Sequence, residues 1–147
     1  MENIVVTTVV HRPVEEVFEA ITRIEEWAHL FQPAIFEVHG GPDAGTMKAR
    51  ICLTGRVREF EAKLVRYDPN SYIGWRSTRG HFVAGEVIFE GLSAGWTHLI
   101  VVFHYNAEGF VENALTFTKV VLHRVDAAVE RLKRHLESLP MLSTAEA

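Results

Sequence analysis

The side chains in this chain that could do chemistry are few and poorly grouped. Its eight histidines are scattered, and no two of them join a carboxylate at the His-Glu-x-x-His spacing that sets metal ligands on one helix face. No metal is expected. Gly40-Gly41-Pro42-Asp43-Ala44-Gly45 is glycine-rich but lacks a Gly-Lys-Ser/Thr ending and a following helix, so it reads as a hairpin turn and not a phosphate cradle. Cys52, the single cysteine, has no evident base partner, and nucleophilic catalysis is not expected. What remains for polar work is Tyr105, Arg76 and Tyr72. A buried phenol can orient a carbonyl or give up a proton; equally, it can pack its ring and satisfy one hydrogen bond. An inward arginine would need a partner such as a ligand carboxylate, because a lone buried charge costs several kcal/mol. The sequence leaves open which face Arg76 occupies.

The elements that must position these residues are easier to read. Asn3 to His11 is rich in Val, Ile and Thr and stops at Pro13, which suits the first turn of a helix. From there Val14, Val17, Phe18, Ile21 and Ile24 fall three or four apart and share one helical face. A second short helix is expected to carry Trp27, Ala28 and Phe31 inward, ending at Pro33. Turn chemistry at Gly40 to Asp43, Asp68-Pro69-Asn70, Arg79-Gly80 and Ser93-Ala94-Gly95 then divides the chain into further strands. These are expected at about 34–39, 46–53, 56–67, 72–78, 81–91 and 96–106, which with the first segment makes seven. From about Val111 to Leu139, Leu115, Thr118, Leu122, Val125, Val129, Leu132, Leu136 and Leu139 predict one long helix. Its first half has the wider apolar face, adding Ala114, Phe117, Val120 and Val121, and that face must be covered either by core side chains or by a ligand.

Composition bounds the whole. A chain of 147 residues, 48% hydrophobic and 23% charged, fits one globular domain over 1–140 with a flexible tail at 141–147. A net charge of −4 with mixed signs gives no footprint for nucleic acid. No apolar run approaches the roughly 20 residues of a membrane helix. One cysteine, together with an N-terminus lacking a basic region and an apolar core, predicts a cytoplasmic protein.

The order strand, two short helices, six strands and long helix resembles the START-like, or helix-grip, superfamily (SRPBCC), and within it the polyketide cyclase/dehydrase branch. The residues that carry the resemblance are Val9 to Phe18, Ile24 to Phe31, Tyr67-Asp68-Pro69-Asn70, Gly95-Trp96-Thr97, and Leu132-Lys133 with Leu136-Glu137. The resemblance implies an α+β fold in which a curved seven-stranded antiparallel sheet wraps a long C-terminal helix around a deep cavity. By that pattern Leu99, Val101, Phe103 and Tyr105 face inward, as do Val83, Val87 and Phe89, and Arg58, Phe60, Ala62 and Leu64, while His98, His104, Glu86 and Glu90 face outward. Trp27, Phe31 and Trp75 are placed near the mouth, and Phe117 and Val121 on the helix. Aromatising cyclases of the branch carry a functional arginine where this chain has Leu64, which counts against the same reaction.

Three readings of function follow. The first is binding of a small hydrophobic ligand (a lipid, quinone, polyketide or aromatic metabolite) with no cofactor, lined by Trp27, Phe31, Phe60, Leu64, Trp75, Val87, Phe89, Val101, Phe103, Tyr105, Phe117 and Val121. The second is a polyketide cyclase or dehydratase using Tyr105 or Arg76. The third is a protein-interaction module, like chaperone- or ribosome-associated relatives, working through an outer face with Trp96, Ile100 and Val102; that face leaves a homodimer open.

Overall fold

Alternation of Val, Ile and Thr with small or polar residues forms extended chain, and loop residues cut it into hairpins. The computed structural model describes residues 2–23, 35–41, 45–52, 57–79, 82–93, 95–105 and 114–140. The elements in chain order are β1 (Glu2–Val10), α1 (Val14–Thr22), β2 (Ile35–Gly41), β3 (Thr46–Cys52), β4 (Val57–Asp68), β5 (Tyr72–Arg79), β6 (Val83–Ser93), β7 (Trp96–Tyr105) and α2 (Ala114–Ser138). The strands form one antiparallel sheet in the order β1-β7-β6-β5-β4-β3-β2. Register shifts at Glu61/Ala62 and Leu64/Arg66 mark bulges between β4 and β5, a device that bends a sheet. The Asp68-Pro69-Asn70-Ser71 turn closes with the Ser71 N–H on the Asp68 carbonyl at 3.1 Å and holds Asn70 at φ 61°, which asparagine tolerates. The expected second short helix and the 141–147 tail lie outside the described residues.

Pro13 sits one position earlier than expected, at the N-cap of α1, where its carbonyl accepts from the Glu16 and Val17 N–H groups, each at 3.1 Å. The helix buries Val17, Phe18 and Ile21, as its spacing predicts, and Phe18 meets Phe89 edge-on at 4.9 Å. On α2 the expected stripe holds at Val125, Val129, Leu132 and Leu136 and departs from expectation at Leu122 and Leu139. Val121, Ala128, Val129, Leu132 and Leu136 are buried, whereas Leu122 is 46% and Leu139 38% exposed. The cause is geometric: the buried set centres on the line through Val121, Ala128 and Leu132, which leaves Leu122 on one margin, while Leu139 lies beyond the helix end. The exposed side carries the Glu130–Arg134 pair at the expected four-residue spacing, 3.8 Å apart.

The far end of α2 is tied to the β1–α1 joint by polar contacts. Arg12, only 6% exposed, donates through Nη2 to the carbonyls of Glu137, at 2.9 Å, and Leu139. The His11 N–H donates to Glu137 Oε2 at 2.9 Å, and buried Thr97 donates its hydroxyl to the Arg12 carbonyl at 2.7 Å. Carbonyls that the helix end leaves open are thus satisfied by a cation, which also suits the negative end of the helix dipole.

Candidate functional site

The strand register lays the inward side chains in rows across the sheet. At one end Tyr105 stands opposite Val83, and at the other Thr8, Leu99 and Phe89 align. Between them run two middle rows: Ile4, Phe103, Gly85, Trp75 and Leu64, then Val6, Val101, Val87, Ile73 and Tyr67. The ends are sealed, with Tyr105 1%, Val83 2%, Leu99 0% and Phe89 4% exposed. The middle is not. Val101 and Phe103 are half-buried, as are Val87, Trp75 and Leu64, although they face the core.

Among the described residues the buried side chains gather in two clusters. One cluster gathers Ile4, Val6, Val83, Tyr105, Val121 and Val129, with half-buried Trp75, Val101, Phe103 and Val125 against it. The other gathers Val10, Val17, Phe18, Ile21, Ile73, Phe89, Leu99, Leu132 and Leu136, with half-buried Leu64, Val87 and again Val101. Val101 thus borders both.

Trp75 reaches its place because β6 has a glycine beneath it. A Cβ on Gly85 would meet the indole at 2.5 Å, so the ring lies across the strand, 6.4 Å from Phe103, whose own ring is 5.5 Å from Tyr105. The result is a continuous aromatic run over apolar strands. It offers stacking surface and dispersion contact, with the Tyr105 phenol and the Trp75 indole N–H as its polar functions. An isolated glycine in a strand pattern signals such a close approach, so Gly85 was available to sequence reasoning as a site residue and was missed.

Of the expected lining, Leu64, Trp75, Val87, Phe89, Val101, Phe103, Tyr105 and Val121 are brought together on this face and its helix cover. Trp75 stands on β5, in the middle of the sheet. Trp27 and Phe31 lie outside the described residues, and the side chains of Arg58, Phe60 and Phe117 are likewise outside what is described. Arg76, whose face the sequence left open, is exposed and, next to inward Trp75 on β5, lies on the opposite face. The run Gly91-Leu92-Ser93-Ala94-Gly95 has the spacing of a nucleophile elbow, which the reading as a plain turn passed over. It joins strand to strand between β6 and β7, with Ser93 exposed opposite Trp96, and so lacks the strand-to-helix setting of such a serine.

The outer face carries a polar network instead. Tyr72 lies over Gly74, where an added Cβ would meet its ring at 2.8 Å, and donates its hydroxyl to Glu86 Oε1. Glu86 Oε2 is 3.2 Å from His104 Nε2, and His104 Nδ1 is 2.7 Å from Asn3 Oδ1. Arg66, paired with Asp68, stacks over the Tyr72 ring at 4.4 Å. Burial, then the hydrogen bond to Glu86 and its charge, push the Tyr72 phenol up to about 12. The hydrogen bonds from Tyr72 and then His104 hold the Glu86 carboxyl below its ordinary value. On the same face Trp96 is 41% exposed and stacks on His11 at 4.1 Å, Ile100 and Val102 are half-buried, and Val5 and Val9 are exposed. Among the described residues no group of three His, Cys, Asp or Glu could hold a metal ion, and no helix is long and apolar enough to cross a membrane.

Comparison with known proteins fits this geometry. A family model described as polyketide cyclase / dehydrase and lipid transport matches residues 1–137. The fold matches that of the Zhui aromatase/cyclase from Streptomyces sp. R1128 with a TM-score of 0.75 at 18% identity, covering 92% of this chain and 93% of that one. A START superfamily protein from Mycobacterium smegmatis gives a TM-score of 0.76 at 14% identity, covering 94% and 99%. At these identities the likeness is one of fold. A search of curated proteins finds no significant match.

Proposed function

Because the chain belongs to the polyketide cyclase / dehydrase and lipid transport family, we propose that it binds one small, largely apolar molecule between the inner sheet face and α2. The observation that supports this reading is that, among the described residues, the inward side chains Leu64, Trp75, Val87, Val101 and Phe103 are only half-buried although they pack against the core. A close-packed domain of this size normally has one contiguous core with its centre best covered. A lipid, quinone, polyketide or aromatic metabolite set against Val101, Phe103 and Trp75 would complete the packing. Burying about 300 Å² of ligand apolar surface offers about 7 kcal/mol before association costs, so the lining needs no ion pair to hold its guest. Trp27, Phe31, Phe60 and Phe117 join the lining in this reading, and no metal or cofactor is required. The protein works in the cytoplasm.

Binding without turnover is preferred to cyclase or dehydratase chemistry for a specific reason. Leu64 packs inward where the resembling cyclases carry arginine, and Arg76 is on the other face. Leucine cannot stabilise enolate charge as it develops. Tyr105 and the Trp75 indole N–H are then the groups that can orient a ligand carbonyl.

Native mass spectrometry of the protein purified from its own host tests the reading. The expected result is a stoichiometric apolar adduct released on gentle denaturation. Protein that is empty and runs as a clean dimer would shift the assignment to the interaction reading, through the outer face at Trp96, Ile100 and Val102.

A further inference from the structure

The mixing of signs along the chain conceals a basic block. Residues 46–79, the stretch of β3, β4 and β5, hold eight Lys or Arg against three Asp or Glu, while the rest of the chain holds seven against sixteen. Strand alternation sets this charge on one face. With Ala49, Ala62 and Trp75 directed to the core, Lys48, Arg50, Lys63, Arg66, Arg76 and Arg79 share the outer face with Glu59, Glu61 and Asp68. All six cations are exposed.

Three carboxylates cannot neutralise them. Glu61 Oε1 lies 3.8 Å from both Lys48 Nζ and Arg79 Nη1, Glu59 Oε1 3.7 Å from Arg50 Nε, and Asp68 is taken by Arg66. That leaves Lys63 and Arg76. They stand directly opposite each other on β4 and β5, and neither meets a carboxylate among the described residues. Like charges so placed destabilise a strand pair, and an anion lying over both removes the repulsion.

We propose that this outer face of β3, β4 and β5 docks on an anionic lipid bilayer. The cations spread over roughly 10 Å across the three strands and roughly 17 Å along them, a plane and not a line. They are long, exposed side chains without the apolar centre that a protein interface buries. The rings on which a single nucleic-acid strand would stack are taken, since Trp75 points inward and Arg66 covers Tyr72. A bilayer asks only for positive charge near its plane. Phe82, 42% exposed in the connection between β5 and β6, lies at the Arg79 end of the patch and adds an apolar side chain for the headgroup boundary. The patch ends at β6, where Glu86 and Glu90 face outward. The carboxylates of α1 and α2 lie across the sheet, beyond the roughly 8 Å over which charges act in physiological salt. Docking needs no guest in the core, so its failure would leave the reading of the inner face standing.

The test is cosedimentation of the full chain with vesicles of phosphatidylcholine, either alone or with about 30% phosphatidylserine, in about 0.1 M and about 0.5 M KCl. The expected result is binding to the phosphatidylserine vesicles alone, released by the higher salt. Lys63→Gln combined with Arg76→Gln should weaken it about 30-fold, at about fivefold per cation. Arg131→Gln combined with Arg134→Gln makes the same change of net charge on α2 and should leave binding unchanged. The proposal is overturned by binding to neither vesicle, by equal binding to both, or by equal losses in the two double variants. It is equally overturned if the protein binds polyuridylate at a lower concentration of phosphate than of phosphatidylserine, which would assign the face to nucleic acid.

Discussion

Two glycines set the position of two rings, one on each face of the sheet. Gly85 leaves room for the Trp75 indole and Gly74 for the Tyr72 ring. Gly85→Ala should push the indole off β6, costing about 1–3 kcal/mol. The change is read by urea unfolding and by tryptophan emission in a background with Trp27 and Trp96 replaced by phenylalanine. On the outer face, Tyr72→Phe removes a donor from Glu86. Since the Glu86 pKa is lowered on folding, its contribution is present above the ordinary carboxyl value of 4.5 and is lost as pH falls through its own lower value. Tyr72 is raised, so its contribution is present below pH 10.0 and is lost as pH rises through about 12. Tyr72→Phe should therefore be less stable than the parent at pH 7, with the difference shrinking in acid and again in strong alkali. Urea midpoints across pH check it, and a pH-independent difference would show that the hydroxyl acts only through packing. The family resemblance that set Phe103 and Tyr105 inward and His104 and Glu86 outward could be carried over residue by residue because strand alternation is local. Where Arg76 points was not legible, because β5 carries a large ring on each face, Tyr72 on one and Trp75 on the other.

At the scale of elements, strand and helix identities could be read from spacing, and the exposure of Leu122 on α2 could not. A three-four stripe from Leu115 to Leu139 fits more than one helical face; which one is buried depends on the strands beneath, and these chose Val121 and Ala128 over Leu122. The anchor at the end of α2 was also hidden. Arg12 has no local signature, since its acceptors at Glu137 and Leu139 are more than a hundred residues away. Arg12→Met should cost about 2 kcal/mol, because the charged donor of these bonds is lost while the carbonyls keep partial access to water. Faster hydrogen exchange confined to the amides of 132–138 would identify the loss as local to the anchor; uniform acceleration across the sheet would assign Arg12 a wider role.

For the whole molecule, the sequence disclosed the architecture and the apolar character of the lining, but not that Trp75, Val101 and Phe103 would be only half-buried. That property depends on how far α2 stands from the middle rows, which no spacing of residues encodes. It turns on Val101, which borders both clusters. If space lies beside it, Val101→Phe should be accommodated with less than about 1 kcal/mol of change; in a filled core the added bulk would cost about 1–3 kcal/mol. The most direct measurement combines this variant with an uncharged apolar probe. Purified protein, stripped of any bound molecule, is titrated with N-phenyl-1-naphthylamine, following probe emission and energy transfer from tryptophan. The expected result is saturable one-to-one binding in the parent and its loss in a stably folded Val101→Phe. Absence of saturable binding in the parent, together with a Val101→Phe that fails to fold, would contradict a ligand site between the sheet and α2.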